Sequence, residues 1–170
     1  MIIHVCSFTR LHSTVEQSGA RHVVTLLSGD DRVERPSSVP AGNHLCLRMH
    51  DISEPLDGHV APDAEHVASL VEFVRGWDRA TPLVVHCWAG ISRSTAAAFV
   101  TVCALAPERD EHEIAWAIRR ASPTATPNIR IVKFADAMLD RKGRMVAAIE
   151  SIGRGQLAAE GVPFRLPLTA

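Results

Sequence analysis

No stretch limits the fold of this chain more than Pro82-Leu-Val-Val-His-Cys-Trp-Ala-Gly-Ile-Ser-Arg-Ser-Thr-Ala-Ala-Ala-Phe. It passes from an apolar strand, Leu83–Val85 with its end at His86, through a short loop around Gly90. It then enters the apolar stretch Arg93–Leu105, which reads as a helix. A strand that turns directly into a helix is the building unit of an α/β sheet. Apolar, β-branched runs at Ile2–Cys6, Val23–Leu27 and Leu45–Met49 supply three more strands. The expected fold is therefore α/β, with a central, mostly parallel sheet flanked by helices.

The intervening segments fill out that plan. A polar segment, Leu11–Ser18, joins the first two strands, and Ser28–Gly42, rich in Asp, Pro, Ser and Gly, reads as a long loop. The polar stretch His50–Gly58 closes the third strand. Val67, Leu70, Val71 and Val74 have the i, i+3, i+4, i+7 spacing that predicts an amphipathic helix within Pro62–Arg79. Helices are expected again at Glu111–Ala121, Ile129–Arg141 and Met145–Ile152, with breaks at Pro107 and Pro123–Pro127. The Gly- and Pro-punctuated tail Gly153–Ala170 is expected to run extended over the surface.

Composition narrows the class. A chain of 170 residues suits a single domain, residues 1–170. With 46% apolar and 22% charged residues it is neither disordered nor fibrous. A formal net charge of -1 provides no general field for nucleic acid or an anionic membrane, and neither partner is expected. Sixteen of the eighteen basic residues are Arg, read first as genome composition, although Arg suits phosphate. MIIHVCSFTR does not read as a signal peptide, and the apolar run Ser94–Pro107 is shorter than the ~20 residues of a membrane span. Cys6, Cys46, Cys87 and Cys103 form no CxxC pair, so a reduced, cytoplasmic protein is expected. Cys6, Cys46 and Cys103 read as small buried hydrophobes.

Cys87 has different neighbours. Successive backbone N–H groups in a loop closing on a helix N-terminus form an anion nest, backed by the helix dipole. Gly90 permits a conformation that a side chain opposes. Arg93 offers a planar fork that grips two phosphate oxygens. The same positive surroundings favour a thiolate at Cys87, which turns a weak nucleophile into a strong one. Anion binding and nucleophile activation have one physical cause here.

His86-Cys87-x5-Arg93-Ser94, with Gly90 between, resembles the signature of the cysteine-dependent protein tyrosine and dual-specificity phosphatases. The resemblance runs from about His44 to Leu139 and is nearer the small dual-specificity branch, in a form similar to small bacterial members. It implies a cofactor-free, metal-free phosphatase that hydrolyses phosphotyrosine, with phosphoserine and phosphothreonine as further candidates, through a phosphocysteine intermediate. By this resemblance Cys87 attacks phosphorus and Arg93 stabilises the equatorial oxygens. Ser94 eases departure of the thiolate, and His86 sets thiolate character and loop geometry from behind. Trp88, Ala89, Gly90, Ile91 and Ser92 form the phosphate-binding loop, which would also hold a phosphate or sulfate ion. Pro127-Asn128 is similar to a pair whose Asn braces that loop. Ile129 and Arg130 depart from the usual continuation, and Asn128 reads equally as a helix N-cap.

Protonating the leaving group requires a general acid. The family draws it from an Asp some thirty to forty residues before the cysteine. Asp51, directly after the third strand, is favoured over Asp57, a turn residue before Gly58, with Glu54 third. Asp63 reads as a helix start. Trp77, Trp88 and Trp116 read as packing groups, although Trp88 lies in the loop and borders any substrate. The cluster Glu108–Glu113 reads as a solvated helix start. The substrate is expected to be a phosphorylated protein or a small phosphomonoester. Alternatives are a phosphoinositide, an inositol phosphate or an RNA 5′-phosphate, which the lack of Lys and Arg at positions 88, 89, 91 and 92 weakens. A non-catalytic phosphate-binding protein is the alternative from another class, and a sulfur transferase fits the Gly90 and Arg93-Ser94 pattern less well.

Overall fold

In the computed structural model of the chain, residues 1–29 and 31–169 are described. Asp30, within the Ser28–Gly42 loop, and Ala170, at the end of the tail, lie outside the described residues. The apolar run before the loop forms β4 (Leu83–Cys87), every residue of which is buried. Its partners are β1 (Ile2–Ser7), β2 (His22–Leu27) and β3 (His44–Arg48), with β5 (Phe164–Pro167) at the far edge. The strand order is β3-β2-β4-β1-β5. Four strands are parallel, and β5 alone runs antiparallel, along β1. All six residues of β2 are buried, like those of β4, because both occupy the middle of the sheet and are covered on both faces.

The two faces are covered unequally. On one, Val5, Val24, Leu26 and Val85 pack with Val74 of α2 (Ala64–Gly76), Phe99 of α3 (Arg93–Leu105) and Ile114 of α4 (Glu111–Ala121). Ile131 of α5 (Ile129–Met138) and Met145 of α6 (Arg144–Ile152) complete this core. On the other face, Cys6, Val23 and Val84 meet Leu11 and Val15 of α1 (Leu11–Ser18). Each such fully buried side chain contributes about 1.5–3 kcal/mol relative to exposure. The Asp63 carboxylate accepts the His66 N–H and caps α2, so the helix starts one residue beyond it. Among the described residues, no helix is long and apolar enough to cross a membrane.

Several expectations change. Leu11–Ser18 is a helix, although only Leu11, Thr14 and Val15 are buried, too few to impose a period. The helix expected to reach Arg141 stops at Met138, because Asp140 and Lys142 take φ values of 50° and 55°. Asp136 then accepts the N–H groups of Gly143 and Met145 and starts α6. The tail does not merely cross the surface: β5 joins the sheet and buries Phe164 and Leu166. Cys46 is exposed rather than buried, because β3 is an edge strand. Glu111 is not solvated; it is buried and paired with Arg141. Trp77 packs in the core, whereas Trp116 and Trp88 are exposed.

Candidate active site

The parallel sheet delivers the ends of β1, β3 and β4 to one side, where chain segments leave the sheet. Cys87 is the last residue of β4, and the loop 88–92 carries the chain to α3, which begins at Arg93. Four of the five loop carbonyls are occupied. Trp88 O accepts from Phe8 N–H at 3.0 Å, Ala89 O from Gly161 at 2.8 Å and Ile91 O from Thr126 at 2.9 Å. Ser92 O accepts from Ala96 and Asn128, and the Thr95 hydroxyl donates to Ile91 O and Ser92 O. Among the described residues, no N–H of Trp88–Ser92 donates a backbone bond in return. Four of the five carbonyls are thus tied down while the N–H groups remain for an anion, which is what a phosphate nest requires. Gly90 has two reasons to be glycine: its φ is +72°, and a Cβ there would meet the β1 backbone at Cys6 and Ser7 at 2.8 Å.

Cys87 is buried, and its Sγ lies 3.1 Å from Ser94 Oγ. Arg93 is also buried. Its Nη1 donates to Met49 O at 2.8 Å, while its Nε has no partner. A buried guanidinium without a carboxylate is costly unless an anion completes it. His86, fully buried, bonds through Nε2 to Thr25 Oγ1 at 2.7 Å, and the same hydroxyl meets His44 Nε2 at 2.8 Å. One hydroxyl carries one proton, so it donates to one ring and accepts from the other. Burial pushes His86 down to about 4, so it is neutral near pH 7 and supports the strand end without adding charge.

Asp51 lies against the loop. Its Oδ1 accepts from Ser92 Oγ at 2.7 Å and from Asn128 Nδ2 at 2.8 Å. Both bonds fall on one carboxyl oxygen. The segment that begins with Asp51 is pinned at its base: His50 N–H donates to Val60 O, and Val60 N–H to His50 Nδ1. Asp57 sits at the exposed far turn, with Gly58 at φ +76°, and among the described residues its carboxylate makes no hydrogen bond to the loop. Asn128 has both of its expected placements. Its Oδ1 caps α5 through Arg130 and Ile131 N–H, and its backbone N–H reaches Ser92 O.

Other residues at the site were not singled out from the sequence. Phe8 stacks on Trp88, with ring centroids 5.4 Å apart and planes 12° apart. Ser7, the register partner of Cys87, shares the Glu160 carboxylate with Thr9 through hydroxyl bonds. Those bonds, Ser7 first, lower the Glu160 pKa and keep it ionised. Glu160 and Gly161 thus clamp the β1 end and the loop together. Ser7 and Glu160 are separated by 153 positions, and no local pattern joins them.

A family model described as protein-tyrosine phosphatase matches residues 45–138, more than half of the chain. The match contains Asp51, the whole Cys87–Ser94 segment and Asn128. Among solved structures, DUSP15 superposes with a TM-score of 0.65 at 16% identity, over 88% of this chain and 90% of that one. The PTP-2 phosphatase of Cydia pomonella gives 0.61 at 19% identity, over 79% and 84%. Human DUSP28 gives 0.61 at 15% identity, over 82% and 94%. At such identities the likeness is one of fold. No curated protein sequence matches.

Proposed function

Because this chain belongs to the protein-tyrosine phosphatase family, we propose that it hydrolyses phosphotyrosine in proteins through a phosphocysteine at Cys87. The observation that carries the reading is the buried Arg93, held by one carbonyl with its Nε unpartnered, beside the Cys87–Ser94 contact. Cys87 Sγ attacks phosphorus as the bond to the leaving oxygen breaks, and Asp51 gives that oxygen its proton. Arg93 and the loop N–H groups hold the three equatorial oxygens, over which the charge of the loose transition state is spread. Water then attacks the phosphocysteine. Asp51, now ionised, takes the water proton, and Ser94 Oγ hydrogen-bonds the departing thiolate.

The exposed Trp88 and its Phe8 partner place an aromatic wall at the loop, which supports an aryl over an alkyl phosphate. Positions 88, 89, 91 and 92 carry no cation for further phosphates. The test is phosphate release from a panel: para-nitrophenyl phosphate, phosphotyrosine and phosphoserine peptides, a phosphoinositide, an inositol polyphosphate and a 5′-phosphorylated RNA. Turnover should be greatest on the two aryl phosphates and vanish in Cys87→Ser. A preference for a polyphosphate or RNA would overturn the substrate assignment, and no turnover at all would leave only a phosphate-binding role.

A further inference from the structure

A cleft of about 560 Å³ lies between α1 and the β1–β5 edge, outside the loop just described. Its polar lining includes His4, Arg10, Ser13, Thr14, Gln17 and Arg165, and it contains no Asp or Glu. This is unlike the chain as a whole, in which acidic and basic residues nearly cancel. His4 and Arg165 are direct cross-strand partners. Cationic side chains set opposite each other in a sheet repel, and here burial and then Arg165 lower the His4 pKa. The ion pairs among the described residues are His66–Asp63, Arg141–Glu111 and Arg144–Glu111, so neither Arg10 nor Arg165 is paired. Arg10 also helps, after the Ser7 and Thr9 hydroxyls, to hold the Glu160 pKa down, but Glu160 is bound by those hydroxyls and does not line the cleft.

The shape argues for an extended occupant. Arg10 stands just past the end of β1 that lies beside Cys87 at the end of β4, and Ile2 and Pro82 mark the opposite end. Between them lies a strand of six residues, about 20 Å at the usual strand rise. That exceeds a single inorganic anion and matches about six residues of extended peptide. The cleft also starts near the substrate, because Phe8, two positions before Arg10, stacks on Trp88 of the loop. We propose that this cleft binds an acidic peptide segment flanking the phosphorylated residue of a protein substrate. Arg10 and Arg165 would pair with its carboxylates, and Ser13, Thr14 and Gln17 would donate hydrogen bonds. The flanking role rests on the function proposed above; the affinity for an acidic peptide does not.

The test uses the full chain and an unphosphorylated, fluorescently labelled hexaglutamate peptide, with hexaglutamine as control. Anisotropy should report binding of the Glu peptide only, weakening as NaCl screens the charges. Arg10→Ala and Arg165→Ala should each weaken it about two- to fivefold, the usual reach of an exposed ion pair. Arg165→Glu should abolish it, with unchanged melting temperatures showing that the variants are folded. Inorganic phosphate should not displace the peptide. Displacement would place the peptide in the Cys87 loop and overturn the proposal, as would binding insensitive to all three substitutions or no binding at low salt. In turnover, a phosphotyrosine peptide with Glu flanks should have a lower KM than its Gln counterpart. That advantage should be lost in Arg165→Ala with kcat and para-nitrophenyl phosphate kinetics unchanged. If turnover is absent altogether, the proposed function fails while the anisotropy still decides the cleft.

Discussion

Two regions of this molecule each hold a buried arginine and a carboxylate, and they use them in opposite ways. Where α3, α4 and α6 meet, Arg141 donates to Cys103 O, Pro107 O and Glu111 Oε1, the last at 2.9 Å. Glu111 is buried and also receives Arg144. At the loop, Arg93 is as buried as Arg141 but among the described residues has only Met49 O as a side-chain hydrogen-bond partner, and the site's carboxylate, Asp51, is bound by Ser92 and Asn128 instead. The first arrangement is complete within the chain. In the second, the cation and the carboxylate are kept apart, as the proposed roles of an anion-binding Arg93 and a proton-donating Asp51 require. Cysteine follows the same contrast. Cys103 lies in the apolar layer, where burial pushes its thiol up to about 12, while Cys87 is beside a hydroxyl and a helix start.

Removing the site's carboxylate should have the largest effect. Asp51→Asn is expected to slow phosphotyrosine hydrolysis by about 10²–10⁴, the usual span of general-acid losses. It should slow para-nitrophenyl phosphate much less, because that leaving group departs without a proton. Steady-state kinetics on both substrates checks this, with Asp57→Asn as the control that leaves the ratio unchanged. Breaking the complete pair should act on stability instead. Arg141→Leu leaves the buried Glu111 with Arg144 alone and should cost about 3 kcal/mol in denaturant unfolding, the low end for a broken buried pair, with activity per folded molecule preserved. Arg93→Lys should show the reverse: kcat lower by about 10²–10³ and unfolding nearly unchanged. If both arginine variants lose stability and activity alike, the contrast between the regions is broken.

A smaller effect separates the regions by pH. His86 is held down to about 4, below its ordinary 6.5, so between these values the unfolded chain binds a proton that the folded chain refuses. Stability from this group is complete above pH 6.5 and is lost as pH falls towards 4, by about 3 kcal/mol in all. Unfolding curves across that window should show the loss, and His86→Gln should show that much less of it. An equal slope in the variant would mean that other groups set the acid sensitivity.

What could be read from the sequence follows from distance along the chain. The loop is local: strand, cysteine, glycine, arginine and helix fall within one short segment, so its residue types were legible before any contact was seen. Asp51 was legible by its place after a strand. The partners that fix them were not. Arg93 reaches Met49 across 44 positions and Asn128 reaches Asp51 across 77. Helix α1 hid because LHSTVEQS buries too little to show a period. β5 hid because FRLP is a short edge strand set among prolines, and its pairing with β1 joins opposite ends of the chain. Glu111 looked solvated because a charged helix start usually is, and the arginine that buries it comes 30 positions later.

On the proposed mechanism, Cys87 takes the phosphoryl group while Arg93 balances its charge. Rapid acid quench during turnover of a phosphotyrosine peptide, followed by digestion and mass spectrometry, tests it most directly. Phosphate is expected on the Cys87 peptide alone, accumulating further in Asp51→Asn if breakdown is slowed more than formation, and absent in Cys87→Ser. Turnover that continues in Cys87→Ser, or phosphate carried on any other residue during turnover, would contradict it.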